Sequence, residues 1–340
     1  MVNSGQVLAV HNVPSTYMVP GVLEEQGLVR SMTTLLHLSP EPVAMEKGAA
    51  MWSLWKTATA LGSHPDTVTI ALVGKYTSFL DSYMSLVRAL EHSAMACKRK
   101  LNLVLVDSSH LESGNEGQEK AWQLVRSAGG ILVPGGFGSR GTEGMIEAIR
   151  YARESKTPFL GICLGMQLAV VEYARNVCDR PNATSAEFDD NATDPVIINM
   201  PELDRVKMGG TMRLGLRPTH FQPGSGWSQI RRLYAASSHQ MKGESMHWVD
   251  GPQSSEAGEM VIHERHRHRY EVNPACISAL EDQGLQFIAK DDKAERMEIL
   301  ELRDHPWFVG VQFHPEYISK VLKPSRPILG FLAASAGCLS

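Results

Sequence analysis

The sharpest chemical feature of this sequence is Gly161-Ile162-Cys163-Leu164-Gly165. An apolar run, PFLGIC (158–163), leads directly into a cysteine, and a helical pattern starts behind it. A nucleophile elbow has this strand–turn–helix order, with small residues on both sides of a sharp turn. Gly161 and Gly165 leave the space that such a turn and close helix packing require. The helix N-terminus favours a thiolate at Cys163, and the Leu164 N–H points to where an oxyanion forms during acyl transfer.

Two further segments supply what a cysteine nucleophile needs. Pro134-Gly135-Gly136-Phe137-Gly138 ends the preceding apolar strand, and its glycines let backbone N–H groups approach a ligand. Gly136 is the candidate for the second oxyanion donor. In a parallel sheet this loop lies on the same edge as Cys163. Gln312-Phe313-His314-Pro315-Glu316-Tyr317 follows the strand-like WFVGV. A thiolate needs a proton shuttle, usually histidine, and the histidine needs a carboxylate to fix its tautomer. His314 and Glu316 have the two-residue spacing that points both side chains the same way along an extended segment.

A fourth segment, His263-Glu264-Arg265-His266-Arg267-His268-Arg269-Tyr270, interleaves histidine with arginine. The arginines would repel a metal cation. If the segment is extended, His263, Arg265, Arg267 and Arg269 share one face, suited to carboxylate or phosphate recognition. There is no G-x-x-x-x-G-K-[ST] pattern, and Gly74-Lys75 is too little to suggest a phosphate loop.

The surrounding elements place these segments on a common frame. TVTIALVG (67–74), LNLVLVD (101–107), GILVPGG (130–136) and PFLGIC (158–163) read as buried strands. Helical patterns lie between and after them at 82–97, 118–128, 142–155 and 164–177. Repeated βαβ units predict an α/β fold, an open and mostly parallel sheet with helices on both faces. The second half is richer in strands (DPVIINM, EMVIHE, LQFIAK, RMEILEL, WFVGVQF) and closes on a helix at 326–337. Residues 224–259 are polar and aperiodic, and read as a long surface insertion, partly disordered. Ahead of the frame, helical spacing spans 22–38 and 49–61, with a two-proline loop (SPEPVAMEKG) between them and SHPD (63–66) as a linker. The expected division is therefore 1–65 and 66–340.

Composition narrows the function classes. Among 340 residues, 33 are Lys or Arg and 37 Asp or Glu, a net charge of −4, which argues against nucleic-acid binding through bulk positive charge. No run approaches the length of a membrane span, and the N-terminal residues lack the pattern of a signal peptide. Cys97, Cys163, Cys178, Cys276 and Cys338 are odd in number and scattered, which predicts free thiols. These features predict a soluble cytoplasmic protein.

Together, PGGFG, GICLGMQ and QFHPEY resemble the class I (triad) glutamine amidotransferases, in that family's order. Within the family, VGKYTSFLDSY (73–83), PGGFGSRGTEGM (134–145), GICLGMQLAVVEYARNV (161–177), MGGTMRLG (208–215) and ERHRHRYEVNP (264–274) resemble the glutaminase domains of the eukaryotic CTP synthase family. VHNVPSTYMVPGVLEEQGL (10–28) resembles the closing stretch of that family's synthetase domain. The resemblance implies a flavodoxin-like class I amidotransferase architecture in 66–340, and a synthetase tail plus linker in 1–65. It implies that Cys163 attacks the side-chain amide of L-glutamine, that His314 shuttles protons and that Glu316 orients it. Gly136 and Leu164 would form the oxyanion hole. Gly136, Leu164, Gly165, Met166, Gln167, Glu187 and Arg269 would bind glutamine. Glu187 and Arg269 offer charges opposite to its α-ammonium and α-carboxylate.

No metal or cofactor is implied for this chain. ATP, Mg²⁺, UTP and allosteric GTP belong to the full-length enzymes, which assemble as homotetramers through a synthetase domain. Only the tail of that domain is recognisable here. The resemblance therefore implies a glutaminase whose ammonia serves the ATP-dependent amination of UTP to CTP elsewhere. A cysteine peptidase or γ-glutamyl hydrolase is disfavoured by Gln167, Glu187 and Arg269. A GMP-type synthetase partner is disfavoured by MGGTMRLG and ERHRHRYEVNP. A scaffolding domain with a dead site is the non-enzymatic alternative.

Overall fold

The computed structural model describes residues 7–39, 41–60, 66–200, 212–242, 245–250 and 260–339. The chain divides into two compact units, Met1–His64 and Pro65–Ser340. Most of the expected linker, 63–65, lies outside the described residues, as do Gly62, 208–211 of the MGGTMRLG run and 251–259 of the expected insertion.

The first unit holds α1 (Val19–Glu25), α2 (Leu28–Leu35) and α3 (Pro42–Ala58). Two expectations change here. The single helix expected over 22–38 is two helices, because Gly27 takes a left-handed φ of 79° that an α-helix cannot contain. The loop expected before 49 is already helical from Pro42. Proline has a fixed φ and no N–H, so it suits the first turn. Trp55 Nε1 donates to the Tyr17 carbonyl at 3.3 Å, tying α3 to the start of the unit.

The second unit begins with β1 (Thr67–Gly74), α4 (Met84–Ala96), β2 (Lys100–Asp107), α5 (Gln118–Arg126) and β3 (Gly130–Val133). Then come α6 (Thr142–Ser155), β4 (Phe159–Ile162), α7 (Leu164–Asn176), β5 (Thr184–Ser185) and β6 (Pro195–Asn199). β7 (Arg213–Phe221), α8 (Gln229–Ala235), β8 (Ala236–Lys242), β9 (Ser245–Asp250) and β10 (Val261–His268) follow. The chain closes with β11 (Tyr270–Val272), α9 (Ile277–Asp282), β12 (Leu285–Lys290), β13 (Met297–Leu302), β14 (Phe308–Val311) and α10 (Arg326–Ser335).

Nine strands form the central sheet in the order β10-β7-β12-β13-β14-β4-β3-β1-β2. The strands β2-β1-β3-β4-β14 pair in parallel, the flavodoxin-like 2-1-3-4-5 arrangement, and the remaining four extend the sheet antiparallel. Helices cover both faces. α5, α6, α7 and α9 pack into one apolar layer with Phe159 and Phe308, and α4, α8 and α10 into the other with Trp307 and Phe331. The inner parallel strands β1, β3, β4 and β14 are largely buried on both faces and are apolar almost without interruption, which makes them readable as a pattern, while the edge strand β2 is only partly covered.

The segment 224–259 differs from its expected irregular form. α8 buries Ile230 and Leu233, and β8 and β9 form an antiparallel hairpin that buries Met246. The Met246 N–H donates to the Cys338 carbonyl at 2.8 Å, fastening the hairpin beside the C-terminal turn. A seven-residue helix and a polar hairpin are too short to stand out by periodicity. Among the described residues, no helix is long and apolar enough to cross a membrane.

Candidate active site

The parallel register brings three loops to one edge. Val133 pairs with Gly161, and Ile162 with Val311, so the loops after β3, β4 and β14 leave the sheet side by side. The Cys163 N–H donates to the Val311 carbonyl at 2.7 Å. Cys163 sits between β4 and α7 with φ 52° and ψ −103°, a conformation that costs a non-glycine residue about 1–3 kcal/mol. The flanking glycines are sterically required. A Cβ on Gly161 would stand 2.6 Å from the Gly165 carbonyl oxygen, and one on Gly165 would stand 2.1 Å from that of Val133.

His314 and Glu316 join Cys163 at this edge. The His314 N–H donates to the Arg265 carbonyl at 2.8 Å, fixing the backbone against β10. His314 Nδ1 donates to Glu316 Oε1 at 2.8 Å, and His314 lines the same cavity as Cys163. Burial alone would disfavour the imidazolium. The interaction with Cys163 and the hydrogen bond and charge of Glu316 outweigh it and hold the His314 pKa well above the ordinary imidazole range. Gly135 separates the two reactive side chains: its absent Cβ would lie 2.9 Å from His314 Cε1 and 3.5 Å from Cys163 Cβ.

Cys163, His314 and Glu316 line a cavity of about 150 Å³, together with Gly135, Gly136 and Arg267. Two larger cavities, of about 670 Å³ each, are lined by none of these residues. Leu164 opens α7 and packs against the loop, its Cδ2 3.4 Å from where a Gly136 Cβ would be. Gly165 and Met166 follow it, both buried in the first turn of α7. Gln167 is buried too, and its Nε2 donates to the Tyr270 carbonyl at 3.0 Å and to Gln312 Oε1 at 3.1 Å.

The two candidate charges for an amino acid flank the same loop. Glu187 Oε1 accepts the Gly138 N–H at 2.8 Å. Burial raises the Glu187 pKa, against the lowering pull of that hydrogen bond and of Lys75 and Arg269. The Arg269 guanidinium lies over the Phe137 ring, 5.9 Å from its centroid.

The expected basic face needs correction. β10 exposes His263, Arg265 and Arg267 and buries Glu264, His266 and His268. Arg269 falls at the bend between β10 and β11, outside the strand, and is half-buried. His266 Nδ1 is 3.2 Å from His268 Nε2, and His266 Nε2 is 3.3 Å from Glu298. Burial, with nearby positive charge, holds the pKa of His266 down to about 2 and that of His268 to about 3. Sequence reasoning also missed two contributors. The Arg267 carbonyl is 3.8 Å from Cys163 Sγ. Lys75, set aside with the phosphate-loop reading, is buried against the Phe137 and Gly138 carbonyls. The signal for Lys75 was weak: one lysine directly after a buried strand.

Comparison with known proteins agrees with this architecture. The glutamine amidotransferase class-I family model matches residues 78–333. The chain belongs to that family. A CTP synthase of Neurospora crassa is 54% identical over 99% of the chain and 56% of its own length. One of Schizosaccharomyces pombe is 54% identical over 98% of the chain and 53% of its own length. The glutaminase domain of Trypanosoma brucei CTPS, solved with bound acivicin, superposes with a TM-score of 0.67 at 36% identity, covering 80% of this chain and 94% of that one. Within the family, then, this is a glutaminase domain of the CTP synthase type. The chain spans about half the length of the curated relatives it matches.

Proposed function

We propose that this chain hydrolyses L-glutamine to glutamate and ammonia through a Cys163 thioester. The observation that carries this reading is the convergence of Cys163, His314 and Glu316 on one cavity, with His314 bonded to Glu316. The Cys163 thiolate attacks the side-chain amide carbon, and the N–H groups of Gly136 and Leu164 receive the oxyanion. His314 delivers its proton to the departing nitrogen, so ammonia leaves and a thioester remains. His314 then takes a proton from water, the hydroxide adds to the thioester, and the thiolate is expelled with glutamate as product. Glu316 keeps the Nδ1–H tautomer and steadies the imidazolium. Glu187 and Arg269 bind the α-ammonium and α-carboxylate of the substrate.

The ammonia would serve the ATP-dependent amination of UTP to CTP in a synthetase domain, of which residues 1–65 are the closing tail. The test is ammonia and glutamate release from glutamine by the wild type and by Cys163→Ala, with and without GTP. Release that vanishes in C163A supports the thioester route. Equal release from both proteins would remove it. Failure of the wild type to turn over or be labelled at Cys163 by a glutamine-like electrophile would favour a scaffolding role.

A further inference from the structure

Lys75 is only 2% exposed, an unusual setting for lysine. Its Nζ donates to the Phe137 carbonyl at 3.3 Å and to the Gly138 carbonyl. Its stem runs beside Gly136, where a Cβ would stand 3.8 Å from Lys75 Cδ and 3.9 Å from Cε. Glu187 accepts the Gly138 N–H, so the loop is gripped by a cation on two carbonyls and by a carboxylate on the next N–H. The grip is itself anchored: the backbone N–H groups of Lys75 and Tyr76 both donate to the Tyr83 hydroxyl, at 3.1 and 3.2 Å. A methionine of similar length would fill this space without the cost of burying a charge. The charge is therefore explained by the carbonyls that it holds.

We propose that Lys75 is a positioning residue for the oxyanion loop: by holding the Phe137 and Gly138 carbonyls it fixes the Gly136 peptide, which lines the same cavity as Cys163. This rests on the reading of Gly136 as an oxyanion donor. Lys75 acts on the loop, not on the reacting atoms. Burial lowers its pKa to about 8, against the opposing charge of Glu187, so the cation is lost at moderately alkaline pH.

The test compares two reagents on Cys163. The diazoketone analogue of glutamine places a carbonyl oxygen where the oxyanion forms, whereas iodoacetamide alkylates a thiolate without needing the hole. In Lys75→Met, diazoketone labelling should slow by about 10- to 100-fold while iodoacetamide alkylation is unchanged, since misplacing a catalytic contact costs up to that much. In the wild type the ratio of the two rates should fall above pH 8, and in K75M it should stay flat. An unchanged ratio in K75M overturns the proposal, as do a parallel loss of both rates and a wild type that resists the diazoketone. Glutamine turnover by the wild type is measured alongside. Its failure counts against the proposed hydrolysis, while the labelling ratio still decides the role of Lys75.

Discussion

Across Pro315, the Nδ1 of His314 and the Oε1 of Glu316 stand 2.8 Å apart. This contact and the charge of Cys163 keep His314 protonated far above the pH at which a free imidazole titrates. His266 and His268 go the other way and remain neutral well into acid. An imidazole ¹⁵N titration should therefore find His314 charged at pH 8 while both buried histidines are uncharged at pH 5. Glu316→Gln should lower the His314 value and reduce kcat by about 10²–10⁴-fold, the usual scale for a general acid–base partner. The sign for stability follows from the raised value. The stabilisation is complete below the unfolded imidazole pKa of about 6.5 and is lost as pH rises through the folded one. The stability gap between wild type and E316Q should thus be widest near pH 6 and narrow in alkali. A wild-type His314 that titrates like a free imidazole would contradict this account.

Gly135 and Gly165 should respond to alanine in opposite ways. A Cβ on Gly135 would meet the ring of His314 at 2.9 Å, and a side chain can move. One on Gly165 would meet the backbone carbonyl of Val133 at 2.1 Å, in the centre of the fold. Gly135→Ala should keep a near-wild-type melting temperature but lose activity by about 10²-fold or more, because the proton shuttle is displaced. Gly165→Ala should melt much earlier or fail to fold. Calorimetry beside a glutaminase assay separates the two. An active G135A would mean that His314 has room that the packing does not indicate.

Glu187→Gln isolates charge from shape. The amide oxygen of that variant can still accept the Gly138 N–H, so the loop keeps its tie. What disappears is the negative charge proposed to hold the α-ammonium of glutamine. A hydrogen bond to a charged group is worth about 1.5–3 kcal/mol, so KM should rise by about tenfold to a hundredfold with a smaller change in kcat. A KM that stays put with a fallen kcat would instead assign Glu187 to loop geometry alone.

The parts of the site that could be read in the sequence are those in which a local motif ends a buried strand. Cys163, Gly136 and the His314–Glu316 pair each follow such a strand, and parallel order alone brings strand ends to one edge. Lys75 could not be read this way. Its partners Phe137 and Gly138 lie more than sixty positions away, and nothing local distinguishes a buried lysine from a solvated one. Strand alternation cannot place Arg269, because it falls at the bend between β10 and β11. The α8 region hid for another reason. Its buried Ile230 and Leu233 lie on a single turn, and its stability comes from residues distant in sequence.

One of those distant residues is Glu301 on β13. Ser228 caps α8: its Oγ accepts the Arg231 N–H at 3.0 Å and donates to Glu301 Oε2 at 2.6 Å, while Glu301 Oε1 accepts the Gln229 N–H at 2.8 Å. Ser228→Ala removes the cap, worth about 1 kcal/mol, and leaves a buried carboxyl oxygen unsupported, at about 1–3 kcal/mol more. The expected loss is therefore about 2–4 kcal/mol in urea unfolding. Burial pushes the Glu301 pKa up to about 7, although hydrogen bonds from Ser228 and Gln229 hold it down. In the fold Glu301 thus keeps its proton to higher pH than in the unfolded chain. The stability this gives is complete below the unfolded value and is lost as pH rises through about 7. Without Ser228, ionisation becomes harder still, so the S228A penalty should be larger at pH 8 than at pH 6. A penalty under about 0.5 kcal/mol, or one that is the same at both pH values, would mean that the α8 cap and the Glu301 carboxyl are not coupled as the geometry indicates.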